Sequence, residues 1–580
     1  MRRDPARWRA AASGVKGVLR GRGIDDRGGM PHRSTPASSA PDRAEVERIA
    51  AERFGLTQLR PAQLDAIEAA ACGRDVMVVW ATGSGKSAVY QVTAALRPGV
   101  TVVVSPLIAL QEDQLAGLEH APDAPKAVAL NSSRGEKARD DAWRRLREGE
   151  ATYVLLAPEQ LANDEVVAEL AALDIALLAV DEAHCIAAWG HDFRPDYLGL
   201  GEVAERLGRP PILALTATAS TPVREEIASR LGLNDPSIHI GDVDRPSIRL
   251  GVRRHGDDRE KRAAVVDEVA SLPVPGLLYT STRRSAEQYA DDLTERGKRA
   301  RAYHAGLPSR ERAEVHRQFL CDELDVVVAT SAFGMGIDKE NVRFVIHADV
   351  PESIDAYFQE LGRAGRDGEE AHGTLHYRAE DLALRRYFAT KNPDAAELRR
   401  LMRSMSTRAR LTSTLATESG LSPRRVTGLL TLLIDTGSAR ASKSGVSLLR
   451  NLDERAAVKA ALERVDERER IERSRIETMR EYAETRRCRR QVLLGYFGQD
   501  LDKPCGNCDT CAAGAADAVR APASVSAAGF EIDSKVSHRE WGAGTVVSID
   551  DDRMRVFFDS EGYKVLSLEI VEREHLLKAG

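Results

Sequence analysis

The chain has 580 residues, 43% hydrophobic and 30% charged, an ordinary globular composition spread over a length that predicts about three or four domains. A formal net charge of −6 gives no generally basic surface, but this does not exclude nucleic acid, because a binding groove needs only local positive charge. The longest apolar runs, such as DVMVVW, are strand-length and far short of the ~20 residues that span a bilayer, so no membrane segment is expected.

Residues 1–43 are rich in Arg, Gly, Ser and Pro without apolar periodicity, and are read as a disordered basic segment. Two explanations stay open: an organellar transit peptide, from the Arg bias and few acids, and an unused upstream start with Met30 as the true beginning. From 44 to 245 the short apolar runs DVMVVW, VTVVVS, TYVLLA, IALLAV and PILAL alternate with amphipathic stretches, the pattern of a parallel sheet with helices on both faces. The rhythm returns over 246–394 with PGLLYT, RAYHAG, DVVVAT and RFVIHA. The fold class is therefore α/β, with two tandem parallel-sheet domains.

Residues 395–470 read as a charged helical insert. Within it, 411–449 has a helix–turn–helix look, with Ser422 as a cap, Pro423 opening a helix, Gly437 ending it and a polar SKSG turn following. A winged helix is expected, with a plain helical hairpin as the alternative. The basic clusters at 397–410 and 484–491 fit either a nucleic-acid contact or solvated helix faces. Residues 514–529 are a linker by composition, and 530–580 are short strands with Asp and Gly turns, a small all-β barrel.

Three stretches carry chemistry. DVMVVWATGSGKS, 75–87, is a strand leading into a Gly-containing loop that cradles phosphates on Thr82, Gly83, Ser84 and Gly85. Lys86 supplies charge to the β/γ oxygens and Ser87 a hydroxyl for Mg²⁺; Trp80 stands where the general pattern has its first glycine. LLAVDEAH puts Asp181 at a strand's C-terminal end, where it would hold Mg²⁺ while Glu182 polarises the attacking water; a surface acidic pair is the alternative. YFQELGRAGRDG, 357–368, holds Arg363 and Arg366, which could serve hydrolysis only if the two domains close over one nucleotide. Of seven cysteines, Cys72, Cys185 and Cys321 are isolated, while Cys488, Cys505, Cys508 and Cys511 gather near the C-terminus. This suits a reducing cytoplasm and one tetrahedral metal site, for which zinc and iron–sulfur both remain open from spacing alone.

With these residues in hand, the chain resembles the RecQ family of superfamily 2 helicases. The likeness runs through FGLTQLRPAQ (54–63), SPLIALQEDQ (105–114), DEAHCI (181–186), LTATA (215–219), AYHAGL (302–307), VVATSAFGMGID (327–338) and QELGRAGRDG. It implies two RecA-like domains and ATP-driven 3′–5′ translocation on single-stranded DNA, with unwinding of duplex or branched DNA in repair and recombination. By the same resemblance Gln63 reads the adenine edge with support from Arg60, and CRRQVLLGYFG beside Cys488 makes the metal zinc. It also makes AAWGHDFRPDY a DNA-sensing loop, in which Trp189 and Phe193 stack on bases while His191 and Arg194 couple them to the site; packing of the two rings against their own domain is the alternative.

Departures are visible. Leu56 stands where many members have an aromatic, and Ala81 where the family has Pro. An insert of about 75 residues precedes the zinc module expected at 471–513, and no winged helix follows it, so the strand-separating element is relocated, reduced or absent. The 530–580 tail is similar to the Tudor-like tail of UvrD-type helicases, which implies RNA polymerase as a partner; a purely stabilising role is the alternative. The expectation is a DNA-stimulated ATPase and helicase, with a DNA translocase of weak strand separation as the runner-up.

Overall fold

The computed structural model describes residues 41–81, 83–106, 108–131, 135–187, 194–241, 243–333, 339–383, 393–442, 445–499, 501–516, 529–549 and 553–579. Among the expected features, 1–40, Thr82, Trp189, His191, Phe193, 334–338 and most of the 514–529 linker lie outside these residues.

In the first lobe β1 (Val76–Val79), β2 (Val100–Val104), β3 (Ala127–Leu130), β4 (Tyr153–Leu156), β5 (Ile175–Val180), β6 (Ile212–Thr216) and β7 (Ser237–Ile240) form one sheet in the order β3-β4-β2-β5-β6-β1-β7. Every pairing is parallel. The runs are apolar without alternation because both faces are covered. Val76 and Val78 join a core with Val46, Ile67 and Val89 from the helices Arg43–Phe54, Pro61–Ala71 and Lys86–Leu96. Met77 and Val79 point the other way, toward Trp143, Val167, Val203 and Ile227.

The second lobe repeats the design with β8 (Ile248–Arg254), β9 (Gly276–Tyr279), β10 (Ala300–Tyr303), β11 (Val326–Ala329), β12 (Phe344–His347) and β13 (Ala371–Tyr377), ordered β10-β11-β9-β12-β13-β8 and again all parallel. One face packs on Val265, Ala286 and Leu293. The core on the other face does not stop at the lobe: Tyr357 and Phe358 share it with Ile471, Met479, Tyr482, Leu493, Cys508, Val547 and Phe557. The cysteine-bearing module and the C-terminal sheet are thus built onto the second lobe.

The insert holds the helices Ala395–Ser404, Thr412–Ser419 and Pro423–Asp435, followed by the antiparallel pair β14 (Ala439–Ser442) and β15 (Gly445–Leu448), an order that a winged helix would also have. Ser422 caps the third helix by accepting from Arg425 N, and Gly437 takes the left-handed φ of +65°. The expected boundary at 470 falls inside a single helix, Glu454–Glu484. This stretch has neither Gly nor Pro, so nothing interrupts the backbone ladder. It packs on the insert through Ala457, Val458 and Ala461 and on the second-lobe core through Ile471, Ile476 and Met479.

Where a small barrel was expected, the structure has a five-stranded antiparallel sheet of β16 (Lys535–His538), β17 (Gly542–Ile549), β18 (Arg553–Phe558), β19 (Gly562–Ser567) and β20 (Leu577–Ala579), ordered β19-β18-β17-β16-β20.

Candidate nucleotide site and cysteine cluster

Strand order sets the first site. β6 lies between β1 and β5, with Val79 opposite Thr216 and Val180 opposite Ala214. The segments that leave these three strands, the phosphate loop, LTATA and DEAH, therefore emerge side by side at one edge, where open α/β sheets bind ligands.

The phosphate loop turns on Gly83 and Gly85, at φ +79° and +80°, conformations that cost a side-chain-bearing residue free energy. A Cβ on Gly85 would also stand 2.6 Å from Gln63 Nε2. Lys86 opens the following helix and donates back to Trp80 O at 3.1 Å, while Ser84 Oγ donates to Ala81 O at 2.6 Å. Trp80 replaces the usual glycine at no steric cost because Gly241 faces it: a Cβ there would lie 2.5 Å from the ring. Gln63 donates to Gly85 O at 3.1 Å and accepts from Arg60 N at 2.7 Å. Its amide thereby ties the start of the Pro61–Ala71 helix to the loop.

Asp181 is buried, held by its N–H on Val104 O at 2.9 Å and accepting from Glu182 N at 2.9 Å. Glu182 has φ +48°, a strained conformation for a residue with a side chain, of the kind found at functional sites. His184 Nδ1 lies 3.0 Å from Thr216 Oγ1 and 3.4 Å from Glu182 Oε2. Thr216 gives its own proton to Thr218 O at 2.9 Å, so Nδ1 is the nitrogen that carries hydrogen. His184 and Thr216 were not foreseen as a pair; only their places after β5 and β6 hinted at it. Burial pulls the Lys86 ammonium below its ordinary range, an effect that the Glu182 and Asp181 carboxylates oppose and Arg366 reinforces. Burial likewise pushes Asp181 up, against the pull of Lys86. Such a site is short of negative charge at Lys86, which a polyphosphate would supply. Asp181 and Ser87 offer the hard oxygen donors that Mg²⁺ takes.

The second lobe contributes one arginine to this edge. A Cβ on Gly83 would meet the Arg366 side chain at 3.4 Å. Arg363 is buried beside Tyr279 of its own lobe. The chain leaves the helix Ile354–Leu361 in a turn, and so the two side chains diverge.

The stretch between DEAH and Tyr197 is fixed at both ends. Arg194 N donates to Cys185 O at 2.9 Å, Arg194 Nη1 to Pro106 O at 3.2 Å, and the buried Tyr197 hydroxyl to Asp181 O at 3.1 Å. Its middle, with Trp189, His191 and Phe193, lies outside the described residues.

The ligand atoms of Cys488, Cys505, Cys508 and Cys511 lie within 4.8 Å of one another. Four thiolates around one ion at ~2.3 Å would stand ~3.8 Å apart, so the cluster fits a tetrahedral metal. It is sewn to the edge of the second lobe: Leu250 N donates to Asn507 O at 3.3 Å, Asn507 Nδ2 to Pro246 O at 3.0 Å, and Val252 N to Asp509 Oδ2 at 3.0 Å.

Residues 60–227 match the DEAD/DEAH box helicase family, 260–368 the helicase conserved C-terminal domain and 446–512 the RecQ zinc-binding family. The ATP-dependent DNA helicase RecQ of Pasteurella multocida (strain Pm70) is 34% identical over 79% of this chain and 61% of its own. The probable ATP-dependent DNA helicase RecS of Bacillus subtilis (strain 168) is 40% identical over 56% of this chain and 64% of its own. The chain thus spans about three fifths of the length of these relatives. The crystal structure of the DUF1998 helicase MrfA bound to DNA shares the fold, at TM-score 0.50 and 16% identity over 73% of this chain and 64% of that one. Two helicase-domain matches in tandem, a RecQ zinc-binding match over the four-cysteine cluster and RecQ relatives at this identity make the chain similar to the RecQ-type DEAD/DEAH-box helicases.

Proposed function

We propose that the chain is an ATP-dependent DNA helicase that moves 3′ to 5′ on single-stranded DNA. The observation that carries the reading is Arg366 of one lobe lying against Gly83 of the phosphate loop in the other. A nucleotide held there is enclosed by both lobes, so its hydrolysis changes how they sit together. Lys86, Ser87 and the loop Thr82–Gly85 hold the phosphates, and Asp181 with Ser87 holds the Mg²⁺, which supplies charge neutralisation when bound. Glu182 accepts a proton from the attacking water, and Arg366 stabilises charge on the departing phosphoryl oxygens. Gln63 and Arg60 border the base.

DNA reaches this site through the segment that Arg194 and Tyr197 anchor. Asp181 stands at one end of it and the proposed base-stacking residues Trp189 and Phe193 in its middle, with His191 as a polar coupler. The β14–β15 wing is the proposed strand separator, and Cys488, Cys505, Cys508 and Cys511 hold zinc. Single-stranded DNA is expected to stimulate ATP hydrolysis and a 3′-tailed fork to be unwound, while Lys86→Ala keeps the fold and loses turnover. Unchanged turnover in Lys86→Ala, or vigorous DNA-stimulated hydrolysis with no strand release on any fork, would falsify this assignment. Trp189→Ala is expected to hydrolyse ATP without responding to DNA.

A further inference from the structure

A buried line of hydroxyl groups joins the two lobes through the C-terminal sheet. Ser220, two residues past Thr218 and at the start of the first-lobe helix Thr221–Leu231, has its Oγ 3.2 Å from Tyr563 Oη on β19. Tyr563 Oη lies 3.0 Å from Tyr496 Oη, at the end of the helix Arg489–Tyr496 beside the cysteine cluster. Tyr496 reaches Asp355 Oδ2 at 2.6 Å, in the first turn of Ile354–Leu361, whose far end leads to Arg366. All four residues are buried. Tyr496 Oη is the donor toward both Asp355 Oδ2 and Tyr563 Oη, its single proton serving one of them at a time, and either of Ser220 and Tyr563 can donate to the other.

Each end of this line lies on a segment that leads along the chain toward the nucleotide site. At the first lobe, Glu182, His184, Thr216 and Thr218 are in contact in turn, and Ser220 follows Thr218 by two residues. At the second, Asp355 sits on the helix that aims Arg366. Polar contacts around the line hold the C-terminal sheet to the first lobe: Thr221 donates to Asp533, Lys535 pairs with Glu225, and Arg224 lies 3.6 Å from Asp533. On the other side, Arg470 Nε donates to Ser560 O at 2.7 Å, Tyr563 N to Ser474 Oγ at 3.0 Å and Arg555 to Glu481 at 2.8 Å. The sheet touches both lobes and the long helix at once.

We propose that Tyr563 and Tyr496 are positioning residues, through which the C-terminal sheet and the cysteine module brace the two lobes so that Arg366 stays on the phosphate loop. The tail is then part of the ATPase engine and not a freely tethered docking module. The brace deepens the ATPase reading and rests on it for its kinetic consequence. Hydroxyl contacts suit a joint that must flex in each cycle, since each adds little and re-forms without covalent change.

Tyr563→Phe keeps the ring and removes only the link. In the full-length protein with saturating single-stranded DNA, kcat for ATP is expected to fall about 2- to 10-fold with KM for ATP unchanged. In an Arg366→Ala background the same change is expected to have no further effect, because the brace acts through that arginine. An equal fold-loss in both backgrounds, or no loss at all, overturns the proposal. A second measurement needs no turnover: without nucleotide, deuterium uptake over 221–231 and 354–366 is expected to rise together in Tyr563→Phe and in Tyr496→Phe. Unchanged uptake in both segments refutes the brace on its own, whereas a wild-type protein that fails to hydrolyse ATP refutes the ATPase reading and leaves the brace to be judged by exchange.

Discussion

Arg363 and Arg366 stand three residues apart, and the structure separates their surroundings. Arg366 lies on the phosphate loop of the opposite lobe; Arg363 is buried against Tyr279, whose hydroxyl donates to Phe333 O at 2.7 Å. Removing Arg366 is expected to lower ATP turnover about 10³-fold or more with little change in melting temperature. Removing Arg363 leaves a cavity in the second lobe, so Arg363→Ala is expected to lose about 1–3 kcal/mol of stability. Thermal melts and steady-state kinetics on the two variants separate the cases: an Arg363→Ala protein that melts like the wild type yet has lost turnover would show that both arginines serve the nucleotide. The QELGRAGRDG run made both residues visible in the sequence. What it did not encode was the turn after Leu361, because side-chain direction there follows from backbone dihedrals that several turn sequences share. Gln63 is a similar case: its presence beside the loop was legible, but its bond to Gly85 O depends on how the Pro61–Ala71 helix meets a loop twenty residues later.

At the scale of elements, the strands of both lobes were legible because uninterrupted apolar runs have one physical use, a sheet buried on both sides. The C-terminal sheet carried a similar signal that was read too simply, as a small self-contained barrel. Neighbouring residues on a strand point to opposite faces. Val546 and Phe558 fill the sheet's own core, while their neighbours Val547 and Phe557 enter the core of the second lobe. Paired apolar residues in TVVSI and RVFF therefore mark a sheet with two faces to bury. Gly562 shows how closely it docks: it has φ +73°, and a Cβ there would stand 2.3 Å from Ser474 Oγ and 3.0 Å from Ile471 Cα. Gly562→Ala combines backbone strain with collision against a helix backbone that cannot rotate away, and is expected to cost about 1–3 kcal/mol. Protease sensitivity over 529–579 is expected to rise in this variant. A melting curve and digestion pattern like those of the parent would mean that the sheet is not seated on the helix as described.

For the whole molecule, the cysteine cluster matters less as a separate module than as the cover of an exposed edge. β8 is the terminal strand of the second-lobe sheet, and such an edge presents unpaired N–H and C=O groups. The segment 507–509 satisfies part of that row through Leu250 N and Val252 N, and Arg490 adds bonds to Asp244 and to Ile248 O at 2.7 and 2.6 Å. Spacing in the sequence pointed to the four cysteines as candidate metal ligands, since thiols at such intervals have little other use, but it was silent on what they cover. Four clustered thiolates repel one another without a cation, so the ion's binding free energy is also folding free energy for everything the segment holds. Stripping the metal proposed for this cluster with a strong chelator is expected to lower the melting temperature of the entire chain. Deuterium uptake is expected to rise along β8 and β13 as well as over 488–511, with light scattering appearing as the edge is uncovered. Because the brace through Tyr496 starts from the same module, ATP turnover should decline in step with β8 protection, and added zinc should recover both. If chelation loosens only 488–511 and leaves β8 protected, the cluster is a local staple and the second lobe holds its edge by other means.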